Sequence, residues 1–297
     1  MKLFKFLQHF TKMRTSPSHH YDPSLLSLVE NSSFVKKPKR HYSLKIESKS
    51  PEKSINITKK PISDHQKTFE LIKEMRKDKN APVDLLGSHL QFNEDDPKDV
   101  QGFQLITSLI LSVQTKDQIT DMIMKRMLEK GLNLDFIDKM SLEELKNMIY
   151  ETNFNNNKAK YLKTLAQTLK KDYNGKMPEK YEEILKLPGV GPKIAILYMQ
   201  FQLNKNVGIA VDTHVHRISN RLNWVKTKTP EGTRKELQVM FEKDVWIEIN
   251  EILVGFGQTV CLPINPKCKE CLLNEICPEG IKNLKMEGSR GKKTKKK

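Results

Sequence analysis

Leu187-Pro188-Gly189-Val190-Gly191-Pro192-Lys193, followed after an apolar run by Val211-Asp212-Thr213-His214, is the stretch whose reading decides the fold of this chain. Upstream, Met177-Pro178-Glu179 leads into a short run with Tyr181, Ile184 and Leu185 at i, i+3, i+4. Downstream, Ile194, Leu197, Tyr198 and Phe201 fall at i, i+3, i+4, i+7. Both spacings put apolar side chains on one face of a helix, so two helices flank a glycine hairpin. Pro178 and Pro192 suit first-turn positions, where no amide donor is missed. Gly189 and Gly191 permit positive φ and let the backbone approach a ligand closely. The hairpin and helix-start N–H groups then point outward together. With the helix dipole behind them, they make a phosphate site from main chain alone.

Lys193 falls in the first turn of the second helix, where the dipole disfavours a cation. A free lysine, with a pKa of about 10.4, is neutral roughly one part in a thousand at neutral pH, so a place that disfavours the charge favours a nucleophilic amine. Asp212 opens the next helix, whose Val215, Ile218 and Leu222 form their own stripe. The spacing alone leaves two readings: a nucleophile with an assisting carboxylate, or a solvated phosphate-binding lysine and an ordinary N-cap.

The rest of the ordered chain reads as helix. Asp64 is a candidate N-cap where order begins. Phe103–Val113 is apolar on most faces, with Ile106, Leu109, Ile110 and Val113 as its stripe, which predicts a central buried helix. Thr115-Lys116-Asp117-Gln118 and Ser141-Leu142-Glu143-Glu144 both match the capping-box pattern. They precede inner faces formed by Ile119, Met122, Ile123 and Met127, and by Leu142, Leu145, Met148 and Ile149. A further helix buries Leu162, Leu165, Ala166 and Leu169 and stops near Gly175. Later stripes hold Leu237, Met240 and Phe241, then Val245, Ile249, Ile252, Leu253 and Phe256. Val207–Val211 is the one strand-like run and has no partner. The fold class is all-α.

A chain of 297 residues holds one large domain or two small lobes. Its longest apolar runs fall far short of the ~18 residues a membrane helix needs. A net charge of +16 with lysine-rich ends favours a polyanionic partner. Residues 1–63 carry Lys2, Lys5, Lys12 and Arg14 with no acid before Asp22, then a stretch rich in Ser, Pro and Lys. They read as a disordered basic region with features of a mitochondrial transit peptide. Order is expected to end near Gly280, and 281–297 reads as a disordered tail with eight basic residues against Glu287. All four cysteines lie at 261, 268, 271 and 277, separated by six, two and five residues. Such crowding is unlike a secreted disulfide framework and points to thiolates around a metal centre. Zinc sites usually pair two close doublets, yet four thiolates suit zinc chemically.

Taken together, the Leu-Pro-Gly-Val-Gly-Pro-Lys hairpin, Val211-Asp212-Thr213-His214, Val254-Gly255-Phe256-Gly257-Gln258 and the cysteine spacing resemble the endonuclease III family, in its eukaryotic branch, over about Asp64 to Gly280. The resemblance implies two helical lobes with a DNA-binding cleft between them. One is a six-helix barrel over 100–207 that carries the helix-hairpin-helix. The other is an iron–sulfur lobe formed by 64–99 and 208–280. It implies a bifunctional DNA glycosylase and abasic-site lyase acting on oxidised pyrimidines in double-stranded DNA, as a monomer. Lys193 would be the Schiff-base nucleophile and Asp212 its assisting carboxylate. Cys261, Cys268, Cys271 and Cys277 would hold a [4Fe–4S] cluster, whose loop brings Lys267 and Lys269 to phosphate. Gln114 and Phe154 would enter the base stack when the damaged nucleotide turns out, while Gly189 and Gly191 meet phosphate. His214 and His216, two apart on a helix, cannot face one metal ion; their spacing leaves a phosphate contact, with His214 the better candidate, or surface and lobe packing. Asn153 departs from the family pattern, where glycine is usual, which puts the shape of the Phe154 loop in doubt. The alternatives are a monofunctional glycosylase of the same fold, which would lack Lys193, and a non-catalytic iron–sulfur DNA-binding protein, which would need neither Lys193 nor Asp212. The expected location is nucleus, mitochondrion or both.

Overall fold

The computed structural model describes residues 64–293; the transit-like N-terminal region and the last four lysine-rich residues lie outside the described residues. Among the described residues every regular element is helical, and no helix is long and apolar enough to cross a membrane.

The helices build two separate hydrophobic cores. The described residues begin beside the second, with α1 (Asp64–Met75), which buries Phe69 and Ile72, and α2 (Pro82–Leu86). It then crosses to the first core with α3 (Lys98–Ser112), α4 (Asp117–Leu128), α5 (Leu134–Lys139), α6 (Leu142–Met148), α7 (Asn155–Asp172), the single turn α8 (Tyr181–Ile184) and α9 (Pro192–Leu203). Six helices plus one turn thus occupy the span read as a six-helix barrel. α3 is buried from Gln101 to Leu111, as a helix apolar on most faces must be. α9 is buried over the whole of Ile194–Gln200, broader than the one-face stripe expected, because it packs along α3 in the middle of this lobe.

The chain returns to the second core through α10 (Thr213–Arg221), α11 (Pro230–Met240), α12 (Trp246–Thr259) and α13 (Pro278–Lys293). The crossover is Val207–Val211, and it explains the strand-like signal. Ile209 and Val211 belong to the second core and Ala210 to the first, so the two-residue alternation reflects one extended segment lying between two cores. Side chains replace a partner strand in satisfying its backbone. Gln200 Nε2 donates to Gly208 O at 2.8 Å, Asn250 Nδ2 donates to Ala210 O at 2.7 Å, and Ile209 N donates to Gln238 Oε1 at 3.2 Å.

Caps follow the sequence in part. Ser141 and Glu144 form the expected box: Glu144 N donates to Ser141 Oγ, and Ser141 N donates to Glu144 Oε2. Thr115 does not cap α4. The N-cap residue is Lys116, whose ammonium has no acceptor to offer, while the Thr115 hydroxyl one residue upstream accepts from Lys158 Nζ at 2.7 Å. Pro192 occupies the first turn of α9 as read, whereas Pro178 lies ahead of α8, which begins at Tyr181.

The chain also stays helical beyond Gly280, where order was expected to end. α13 continues to Lys293; Ile281 and Leu284 are half-buried at i, i+3, and Asn283 Nδ2 reaches Cys268 Sγ at 3.5 Å, so contact with the cysteine loop holds the start of this basic segment.

Candidate active site and cysteine loop

The glycine hairpin takes the expected form. Gly189 sits at φ +78° in the left-handed region, and Gly191 is the N-cap residue of α9. Tyr161 of α7 packs against Gly189 so closely that a Cβ there would lie 2.8 Å from the tyrosine Cβ. A Cβ at Gly191 would meet nothing within 4 Å. The first glycine is required by the fold, and the second leaves open backbone beside the helix N-terminus.

Lys193 follows in the first turn of α9 and lines a large open cleft of about 720 Å³. Asp212 lines the same cleft from the other lobe. Asp212 is the N-cap of α10, as one of its two sequence readings has it. Its Oδ1 accepts the Val215 N–H at 2.8 Å as an N-cap, while Oδ2 has no hydrogen bond among the described residues. Lys193 likewise makes no hydrogen bond or ion pair among the described residues. An amine and a carboxylate thus face one cavity from two lobes, each with its reactive atom uncommitted.

His214 joins them in the cleft. Its Nδ1 is 3.1 Å from Arg217 Nη2; a guanidinium can only donate, so Nδ1 accepts and the ring proton resides on Nε2. Burial lowers its pKa, which outweighs the raising effect of Asp212 and keeps the ring neutral. His216 points instead to Thr233 Oγ1 at 2.7 Å, as two residues on one helix require.

Three further cleft residues were not singled out by the sequence. His89 stacks on Phe201 with ring centroids 4.9 Å apart, and burial lowers its pKa. Asp117, the first residue of α4, receives a 2.7 Å hydrogen bond from Gln258 Nε2 of α12. Burial pushes the Asp117 carboxyl up, against the opposing effects of that bond, Lys193 and His214. The sequence places Asp117, three residues after Gln114, only inside the capping-box match that opens at Thr115.

Gln114 and Phe154 belong to different loops that meet. Both sit in the left-handed region, at φ 52° and 58°, and both are exposed, Phe154 by 60%. The Asn153 side-chain amide donates to Gln114 O and ties the loops together. Lys158, buried on the following helix, donates at 2.7 Å to Leu111 O, Val113 O and Thr115 Oγ1, capping the carboxyl end of α3 just before Gln114. The departure from glycine at position 153 therefore adds a cross-link to a preset pair.

The four cysteines are free thiols lining one small cavity with Leu222, Phe256, Val260 and Leu273. Hydrogen-bond donors surround their sulfurs: Arg221 Nη1 at 3.4 Å from Cys261, Leu273 N at 3.4 Å from Cys271, and Asn283 Nδ2 at 3.5 Å from Cys268. Burial pushes the Cys271 thiol up to about 11 and raises that of Cys277. Among the described residues no three His, Cys, Asp or Glu side chains converge closely enough for a single metal ion. Lys267 and Lys269 lie exposed on this loop.

Residues 107–243 match the HhH-GPD superfamily of base excision DNA repair proteins. The chain is 49% identical over 215 residues to the endonuclease III-like protein 1 of Gallus gallus, covering 72% of this chain and 76% of that one. The chain belongs to the endonuclease III family. The Schizosaccharomyces pombe endonuclease III homolog is 41% identical over 75% of this chain and 64% of its own length. An endonuclease III solved as a trapped covalent intermediate with DNA superposes with a TM-score of 0.65 and 28% identity, covering 74% of this chain and 97% of that chain. A non-covalent endonuclease III–DNA complex gives 0.63 and 29% over 74% and 98%. This endonuclease III relative is accordingly a DNA-binding glycosylase of base excision repair, with an all-helical two-lobed fold.

Proposed function

We propose that the protein is a bifunctional DNA glycosylase and abasic-site lyase that removes oxidised pyrimidines. The observation that carries this is the pairing of Lys193 with Asp212 in one cleft, each with an unengaged functional atom. A monofunctional enzyme needs no amine there. Endonuclease III forms a DNA adduct that can be trapped, and its fold aligns with this one across three quarters of the chain.

Neutral Lys193 attacks C1′ of an extruded nucleotide, the C1′–N bond breaks, and the base leaves with its electron pair. Asp212 Oδ2 stabilises positive charge growing on the sugar and takes a proton from the bound amine; the C1′–O4′ bond then breaks, O4′ receives that proton, and the opened sugar is left joined to Lys193 as an imine. Loss of a C2′ proton then breaks the C3′–O bond, which cleaves the strand 3′ of the abasic site. Base extrusion comes first, since C1′ is not accessible in the stack. Gln114 and Phe154 fill the gap, the Gly189–Gly191 hairpin amides hold phosphate, and His214 Nε2–H is available to donate to the same strand.

The cysteine cavity fits a [4Fe–4S] cluster better than zinc: four thiols ring one cavity without converging on a point, and N–H donors surround the sulfurs of an anionic group. Such a cluster would draw the raised thiols into the thiolate state and brace the loop that presents Lys267 and Lys269. Monomeric action and delivery to nucleus or mitochondrion complete the proposal, the latter resting on the basic residues at both ends. Incubation with a duplex holding one thymine glycol, with product ends resolved, tests the reading. A 3′ unsaturated aldehyde end is expected; an intact abasic strand would overturn the lyase step.

A further inference from the structure

The structure assigns Asp117 as a second functional carboxyl of the cleft, one that contacts the extruded base while Asp212 serves the sugar. This inference rests on the glycosylase reading above and concerns a residue that reading does not use.

Asp117 opens α4, where a carboxylate would ordinarily cap its own helix or serve the dipole from solvent. It caps nothing. It turns instead to Gln258 of the opposite lobe, whose orientation is set by a second bond: Val83 N donates to Gln258 Oε1 at 3.0 Å. The amide nitrogen must therefore face Asp117, and it donates to Oδ2 at 2.7 Å. Oδ1 is left without a hydrogen bond among the described residues, in a cleft shared with Lys193, Asp212 and His214. A half-buried carboxyl steered by a dedicated amide thus keeps its other oxygen open to the cleft, where a ligand can reach it.

Position argues for the base rather than the sugar. The cleft wall runs continuously from Gln114 to Asp117, so a nucleotide swung out past Gln114 meets this wall. A thymine-derived base such as thymine glycol presents an imide edge there, with an N3–H between two carbonyl oxygens. As a carboxylate, Oδ1 accepts from N3–H; as a carboxylic acid it donates to a carbonyl. Burial raises the Asp117 pKa. Gln258 is then a positioning residue that acts through Asp117.

The test compares two substrates that differ only in having a base. Asp117→Asn keeps the shape and can still accept the Gln258 bond. Single-turnover base release from a thymine glycol duplex should fall about 100-fold, while cleavage of a ready-made abasic site stays within about twofold. Gln258→Leu should cut base release roughly tenfold, and the double variant should be no slower than Asp117→Asn alone, as expected of residues acting as a unit. Equal loss on both substrates, or no loss on either, would overturn the assignment. Wild-type protein that released base without cleaving the abasic strand would refute the lyase reading separately. The Asp117 comparison would then be read from base release against abasic-duplex affinity.

Discussion

Replacing each hairpin glycine with alanine should separate the fold from DNA contact. At Gly189 two costs combine. An L residue at φ +78° sits in the left-handed region, at roughly 1–2 kcal/mol. The new Cβ would also lie 2.8 Å from Tyr161 Cβ and 2.9 Å from its Cγ. The ring is partly exposed and can swing, but a Cβ is fixed to the backbone of α7, so overpacking adds about 1–2 kcal/mol. The sum, roughly 2–4 kcal/mol, is a large share of a stability of about 5–15 kcal/mol. It should lower the melting temperature by roughly 10 °C in a chain of this size. Gly191→Ala meets no atom within 4 Å and sits at φ −103°, open to any residue. Its folding cost is only the poorer N-cap, about 0.5–1 kcal/mol. A methyl there does stand on the open backbone offered to phosphate, and a tenfold loss of duplex affinity, about 1.4 kcal/mol, is expected. Thermal melts and fluorescence anisotropy on both variants check this. A Gly189→Ala protein melting within 1–2 °C of wild type, or Gly191→Ala binding with full affinity, would refute the division of roles.

Three other perturbations follow from the same geometry. Cys268→Ser should bleach the yellow-brown colour expected of the purified protein and weaken DNA affinity through the loop of Lys267 and Lys269; colourless wild-type protein with stoichiometric zinc would reject the cluster. Asn153→Gly removes the bond to Gln114 O and should slow excision from paired duplex severalfold while leaving abasic-site cleavage unchanged; identical rates would show that the cross-link does not preset the wedge. Burial lowers the Lys158 ammonium from the ordinary 10.5 to about 8. Across that window the unfolded chain holds a proton the folded chain has released, so this group's contribution to stability grows as pH rises above 8 and is lost as pH falls through it. Denaturant midpoints on either side of pH 8 should show that gain in wild type and not in Lys158→Met; parallel curves would contradict it.

What the sequence disclosed and what it hid divide along a physical line. Local periodicity and local chemistry were legible: the buried α3, the Ser141 box, the hairpin, Lys193 and Asp212, and the cysteine spacing. Features made by long-range contact were not. Thr115 reads as a cap until Lys158, 43 residues on, takes its hydroxyl. Val207–Val211 alternates like a strand because two cores flank it. Asp117, His89 and Gln258 line one cleft only when three distant segments assemble; Gln258 ends a stretch that carries the family resemblance, but its bond to Asp117 spans 141 residues and no local pattern announces it. The basic segment after Gly280 lacks a long apolar face, and its helix is held by a loop that composition does not reveal.

The central claim is that the Lys193 amine forms the covalent bond to the sugar, and borohydride trapping tests it most directly. Reduction during turnover on a thymine glycol duplex should fix a stable protein–DNA adduct with the wild-type chain. Lys193→Gln should bind the same duplex and form none, and Asp212→Asn, which keeps the Val215 cap but loses the charge, should form it far more slowly. A Lys193→Gln protein that trapped DNA at the wild-type rate would place the nucleophile elsewhere and contradict the account.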